Sequence, residues 1–139
     1  MVEYELIDHT ADIGIKVKGK DLKNLFSNAA KAMFNVIALK PKSIAGLRKK
    51  PCQINLKASN REELFVRWLS ELLSLSDCKD VYFTDIKINK LTETEIAGTV
   101  AGVARRYFQG TREVKAVTYC DVKVAKRKNG FFAQVIFDV

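Results

Sequence analysis

The 139-residue chain is 47% hydrophobic and carries only two prolines, which fits one domain, 1–139, able to bury roughly two thirds of its unfolded surface. Three cysteines, odd in number and without a C-x-x-C pair, argue against a disulfide framework or a zinc knuckle and read as reduced, mostly buried, small apolar residues. The net charge of +8 is uneven, with eight Lys/Arg against two Asp/Glu in residues 103–130 and five of each in residues 1–39, so an anionic partner competes with plain solubility of lysine-rich strand edges as its explanation.

In chain order, the opening MVEYELIDHT has neither a basic nor an apolar leader region, and no window is long enough to span a membrane. The expected location is cytoplasmic, without membrane contact. Val2 to Ile7 reads as a strand, and Ile13, Ile15 and Val17 alternate with Gly14, Lys16 and Lys18 as in a half-buried second strand. Asp8 to Asp12 is then the loop of a hairpin. That loop holds Asp8, His9 and Asp12, more polar chemistry than a tight turn needs. Asp21 caps a helix whose stripe is Leu22, Leu25, Phe26, Ala29, Ala30, Met33 and Val36. Lys40 to Pro51 reads as a loop, leading to a strand with Cys52, Ile54 and Leu56. Asn60 and Glu63 have the spacing of a reciprocal cap for a second helix with Leu64, Trp68, Leu72 and Leu75 on one stripe. Trp68 there is packing rather than recognition. Strand patterns follow at 81–89, 95–103, 114–124 and 131–139. The expected class is α+β, with about seven mostly antiparallel strands and two helices packed on one face.

The last strand divides by its period of two into Phe131, Ala133, Val135 and Phe137 on one face and Phe132, Gln134, Ile136 and Asp138 on the other. Val139 then sets a terminal carboxylate beside that of Asp138. Two neighbouring anions repel unless a cation or hydrogen-bond donors sit between them. A solvated, frayed terminus is the simpler account of this segment alone.

YELIDHTADIGIKVKGKDLKNLFSNAAKAMFNVI resembles the opening of the archease family, with its D/E-H-T-A-D turn, strand, glycine and L-x-x-L-F-x-x-A-A helix. LFVRWLSELL is similar to that family's central helix, EVKAVTY at Glu113 to Tyr119 to its penultimate-strand motif, and VIFDV to its terminal strand. The resemblance implies a small, chaperone-like α+β accessory protein. Such a protein is not itself an enzyme, and it activates an RtcB-type RNA ligase by promoting guanylylation and turnover in tRNA splicing. It also implies a divalent metal site of Asp12, Asp138 and the terminal carboxylate of Val139, with Lys115 as a further functional residue. His9 takes a supporting role, and weak contact with tRNA or RNA is expected.

An all-oxygen donor set suits a hard cation, calcium first, with magnesium or manganese as alternatives. Asp8 reads as a bonder of turn backbone. Lys115, by itself, would be an ordinary solvated lysine at a strand start, able to pair with Glu113. The chain departs from the family's usual pattern at Cys120, where a histidine is common, and at Val103, where a glutamate follows the glycine. Two other functions stay open from the residues. A carboxylate-bound metal could serve a hydrolase, although no nucleophile motif or phosphate loop accompanies it. A basic RNA-binding domain could use Arg105, Arg106, Tyr107, Arg112 and the Lys123 to Lys128 cluster.

Overall fold

The alternation of Ile13, Ile15 and Val17 produces a strand buried on one face, β2 (Asp12–Gly19), and it pairs antiparallel with β1 (Tyr4–Asp8). The computed structural model describes residues 2–8 and 12–139, apart from the side chain of Asp8. Asp21 caps α1 (Leu22–Ile37) by accepting the Asn24 N–H at 2.8 Å, satisfying one of the N–H groups a helix start leaves open. A two-residue strand β3 (Ala38–Leu39) follows, and after the loop comes β4 (Lys50–Lys57). The strand thus takes in Pro51, which is tolerated because β4 lies at a sheet edge.

Asn60 caps α2 (Arg61–Lys79) by accepting the Glu63 N–H at 2.9 Å. The return bond of the expected reciprocal cap is not formed among the described residues. Beyond α2 run β5 (Val81–Leu91), β6 (Glu95–Ala104), a 3-10 turn at Arg105–Tyr107, the two-residue β7 (Gln109–Gly110), β8 (Ala116–Arg127) and β9 (Gly130–Asp138). The strand count exceeds the expected seven because of β3 and β7, too short to leave a periodic trace in the sequence. They pair with each other.

The two larger sheets have the orders β1-β2-β9-β8 and β4-β6-β5, antiparallel throughout. Both helices pack against strands of both sheets, so one hydrophobic cluster joins all the layers. The expected stripes meet in it: Leu25, Phe26, Ala29 and Met33 from α1, and Leu64, Trp68 and Leu72 from α2, all fully buried. Trp68 Nε1 donates to the Phe26 carbonyl at 3.0 Å, satisfying its polar edge inside the core. The Phe26 and Phe65 rings meet edge to face with centroids 5.1 Å apart.

On β9, Ala133, Val135 and Phe137 are fully buried, as their shared face requires. Ile136 is buried as well, although it lies on the opposite face. Gly14, its partner on β2, has Ile136 folded onto it, so closely that a Cβ there would stand 2.6 Å from Ile136 Cδ1. The cysteines are less buried than their apolar character suggests: Cys52 is partly exposed, and Cys78 and Cys120 are exposed. No described helix is long and apolar enough to cross a membrane.

Candidate functional site

Asp12 opens β2 and Asp138 closes β9, and the antiparallel register sets them directly opposite each other. Direct cross-strand partners have Cβ atoms about 5 Å apart on the same face. Ala116, the first residue of β8, is paired on the other side of Asp138, so three strands end in one row. The Lys115 N–H prolongs that ladder by donating to the Asp138 carbonyl at 2.8 Å. Two of the anticipated residues, far apart in sequence, are thereby brought together.

Their electrostatics are unbalanced. Asp12 is half-buried, and its Oδ1 is shielded from solvent without a hydrogen-bond partner among the described residues. Neither Asp12 nor Asp138 belongs to any of the ion pairs among the described residues. An isolated buried carboxylate oxygen is costly unless a hydrogen bond or a cation meets it. The residues present therefore fit a hard cation, which would satisfy the orphaned oxygen and offset the repulsion between two adjacent anions.

Val139 packs its side chain against the hydrophobic core, which draws the chain end in beside this row. No group of three or more His, Cys, Asp or Glu side chains suited to a metal occurs among the described residues. His9 and the side chain of Asp8 lie outside the described residues.

Lys115 stands one residue before β8 rather than inside it, and its side chain is exposed. The ion pair with Glu113 is not formed, and Lys115 belongs to no ion pair among the described residues, while its backbone is fixed beside the carboxylate row. Cys120 falls in an irregular stretch of β8, between the paired residues Thr118 and Lys123, where Asp121 adopts a left-handed conformation with φ 52°. Val103 is buried in the other sheet, opposite Tyr82.

The basic residues separate into two kinds. Arg105 is structural: it reaches Asp77 Oδ1 at 2.6 Å and Ser76 Oγ at 2.8 Å, and its guanidinium lies over the Tyr82 ring at 4.7 Å. Sequence gave no sign of these partners, because they come from the end of α2, nearly thirty residues upstream. Arg106 lies over the ring of its neighbour Tyr107 at 4.8 Å. Lys126, Arg127 and Lys128 remain exposed, at the β8–β9 turn. Along β9 that turn is roughly 26 Å from the Asp12–Asp138 row.

Comparison with known proteins adds a full-length relationship. The Archease protein family model matches residues 4–139. The chain is 37% identical over 143 residues to the Protein archease of Methanosarcina barkeri, covering 99% of this chain and 96% of that one. The solution structure of Methanobacterium thermoautotrophicum protein 1598 superposes with a TM-score of 0.73 at 30% identity, covering 98% of each chain. A crystal structure from Thermotoga maritima, described as an archease and possible chaperone, shares the fold with a TM-score of 0.66 at 22% identity, covering 97% and 96%.

Proposed function

Because the chain belongs to the archease family, we propose that it is a non-catalytic protein partner that activates an RtcB-type RNA ligase in tRNA splicing, raising the ligase's guanylylation and turnover. The observation that carries this reading is the cross-strand pairing of Asp12 with Asp138, with one carboxylate oxygen buried and without a hydrogen-bond partner among the described residues. Asp12, Asp138 and the α-carboxylate of Val139 would hold a divalent cation, calcium first, with magnesium or manganese as alternatives and water completing the shell. Bound there, the ion supplies positive charge and open coordination positions for an oxygen of the partner. Asp12 and Asp138 fix the position, and the paired β2 and β9 backbones keep them on one face. Lys115, held by its N–H on Asp138, presents its ammonium to an anionic group of the ligase as a point charge. The work is done in the cytoplasm, and RNA contact is weak and governed by charge.

The test is guanylylation and ligation by a cognate RNA ligase with and without sub-stoichiometric amounts of this protein. Turnover rises with the parent, and Asp12→Ala and Lys115→Ala lose most of that rise. The isolated protein leaves RNA unchanged. RNA processing by the isolated protein that Asp12→Ala abolishes would replace this function with that of a metal-dependent hydrolase.

A further inference from the structure

The side of α1 turned away from the core carries Asn28, Lys31 and Asn35, at the three- and four-residue spacings that keep side chains on one helical stripe. These residues line an open cleft of about 640 Å³, a size typical of small-molecule sites. Tyr4 of β1 stands on one wall and Tyr82 of β5 on another, with Lys40 beyond the helix end. The cleft therefore lies between strands of the two main sheets, with α1 alongside.

Its chemistry is selective in three respects. First, no aspartate or glutamate lines it, and neither Lys31 nor Lys40 forms an ion pair among the described residues. Asp85, next to Thr84 on β5, pairs directly with Lys49 at 2.8 Å, and that hydrogen bond, with a smaller contribution from the charge of Lys40, holds its carboxyl below the usual carboxylate range. Second, the aromatic wall is fixed, since Tyr82 is covered by Arg105 and meets Phe108 edge to face at 5.0 Å. Third, carboxamides are available: Asn35 makes no side-chain hydrogen bond among the described residues, and Asn28 spends its N–H groups on Lys18 and Asn24 while its Oδ1 stays open. Leu39, 53% exposed, adds an apolar rim.

We propose that this cleft binds a nucleotide, either as a free nucleoside phosphate or as one unit of a single RNA strand. The base lies against the Tyr82 wall, its polar edge meets Asn35 and the Asn28 oxygen, and the phosphate is held between Lys31 and Lys40. A purely apolar ligand would leave two lysines and a carboxamide unused, and a bare anion would leave the aromatic wall unused. Stacking on aromatic side chains combined with a cationic path for phosphate is the general chemistry of single-strand binding. The assignment is independent of the ligase function and of the carboxylate row.

The experiment titrates the full chain with inorganic phosphate, AMP, GMP, UMP, adenosine, a short oligouridylate and an acidic peptide, followed through backbone amide resonances. Nucleotides shift the signals of Lys31, Asn35 and Tyr82 and bind at least about tenfold more tightly than phosphate or adenosine alone. The double change Lys31→Glu with Lys40→Glu weakens them by about tenfold or more, while Lys128→Glu and Asp12→Ala leave the affinity as it was. Oligouridylate binding well above UMP assigns the strand as the source, and equal affinity assigns the free nucleotide. Equal binding of phosphate, an equal loss in Lys128→Glu, or saturation by the acidic peptide without any by nucleotides would each overturn the proposal. Unchanged amide dispersion in the variants shows that they remain folded.

Discussion

At the scale of single residues, the half-buried Asp12 is the most informative side chain, because one of its oxygens has no hydrogen-bond partner among the described residues. Removing it takes away both an orphaned oxygen and a like charge opposite Asp138, an arrangement that costs about 0.2–1 kcal/mol in a strand pair. Asp12→Ala should therefore melt at or slightly above the parent in the presence of a chelator. With calcium at a hundred times its dissociation constant the parent should gain about 2.7 kcal/mol, and the variant nothing. Thermal melts of both proteins in both conditions check this, and equal calcium shifts would remove the metal from the site. Arg105 is the opposite kind of residue: its charge is already engaged by Asp77, Ser76 and Tyr82. Arg105→Ala should cost about 1–2 kcal/mol in denaturant unfolding, since Ser76 is fully buried and loses that partner, and should leave the salt dependence of RNA binding as in the parent, because its charge is not free to meet phosphate. A shallower salt dependence of RNA binding with unchanged stability would reverse that assignment.

At the scale of elements, the paired ends of β2 and β9 decide whether the row of carboxylates exists. Gly14 lets Ile136 pack flat against β2, so Gly14→Ala should cost about 1–3 kcal/mol by overpacking and loosen the register next to Asp138. Chemical denaturation and calcium titration of that variant should both show losses; unchanged values would mean that the sheet absorbs the methyl group elsewhere. One glycine appended after Val139 tests the same end differently. It should abolish the calcium-induced rise in melting temperature without altering the melt in chelator, because the strand's buried face is untouched. These elements were largely legible in the sequence. The period of two in β9 shows which face Ala133, Val135 and Phe137 share, and Asp21 and Asn60 mark both helix starts. Periodicity describes a face and not a neighbour, so the sorting of strands into separate sheets was not legible. Nor was the irregular stretch between Thr118 and Lys123, which interrupts the pairing of β8 with β9. Lys115 was expected in a strand and lies just outside one, because the ladder at that point continues through its backbone alone. The 28-31-35 stripe of α1 has helical spacing too, but the apolar stripe beside it dominates any reading of that segment.

At the scale of the molecule, sheet β1-β2-β9-β8 is electrically polarised along its length. Asp12 and Asp138 sit at one end, while Lys126, Arg127 and Lys128 sit at the β8–β9 turn at the other, roughly 26 Å away. That separation exceeds the Debye length of about 8 Å at physiological ionic strength, so the two ends act on a partner independently. The basic end contributes to the long-range field that steers an anionic partner, which changes association rate more than bound-state chemistry. The carboxylate end is short-ranged and acts only once the surfaces touch. Ligase activation should then separate into two responses. Changing Lys126, Arg127 and Lys128 together to glutamate should raise the concentration needed for half-maximal activation and flatten its salt dependence, while full activation is still reached at saturation. Asp12→Ala should lower the saturating level and leave the salt dependence as in the parent. Activation curves at low and at physiological ionic strength measure both quantities. A basic-end variant that lowers the plateau as far as Asp12→Ala does would mean that both ends contact the ligase in the active complex, and the division between steering and activation would be lost.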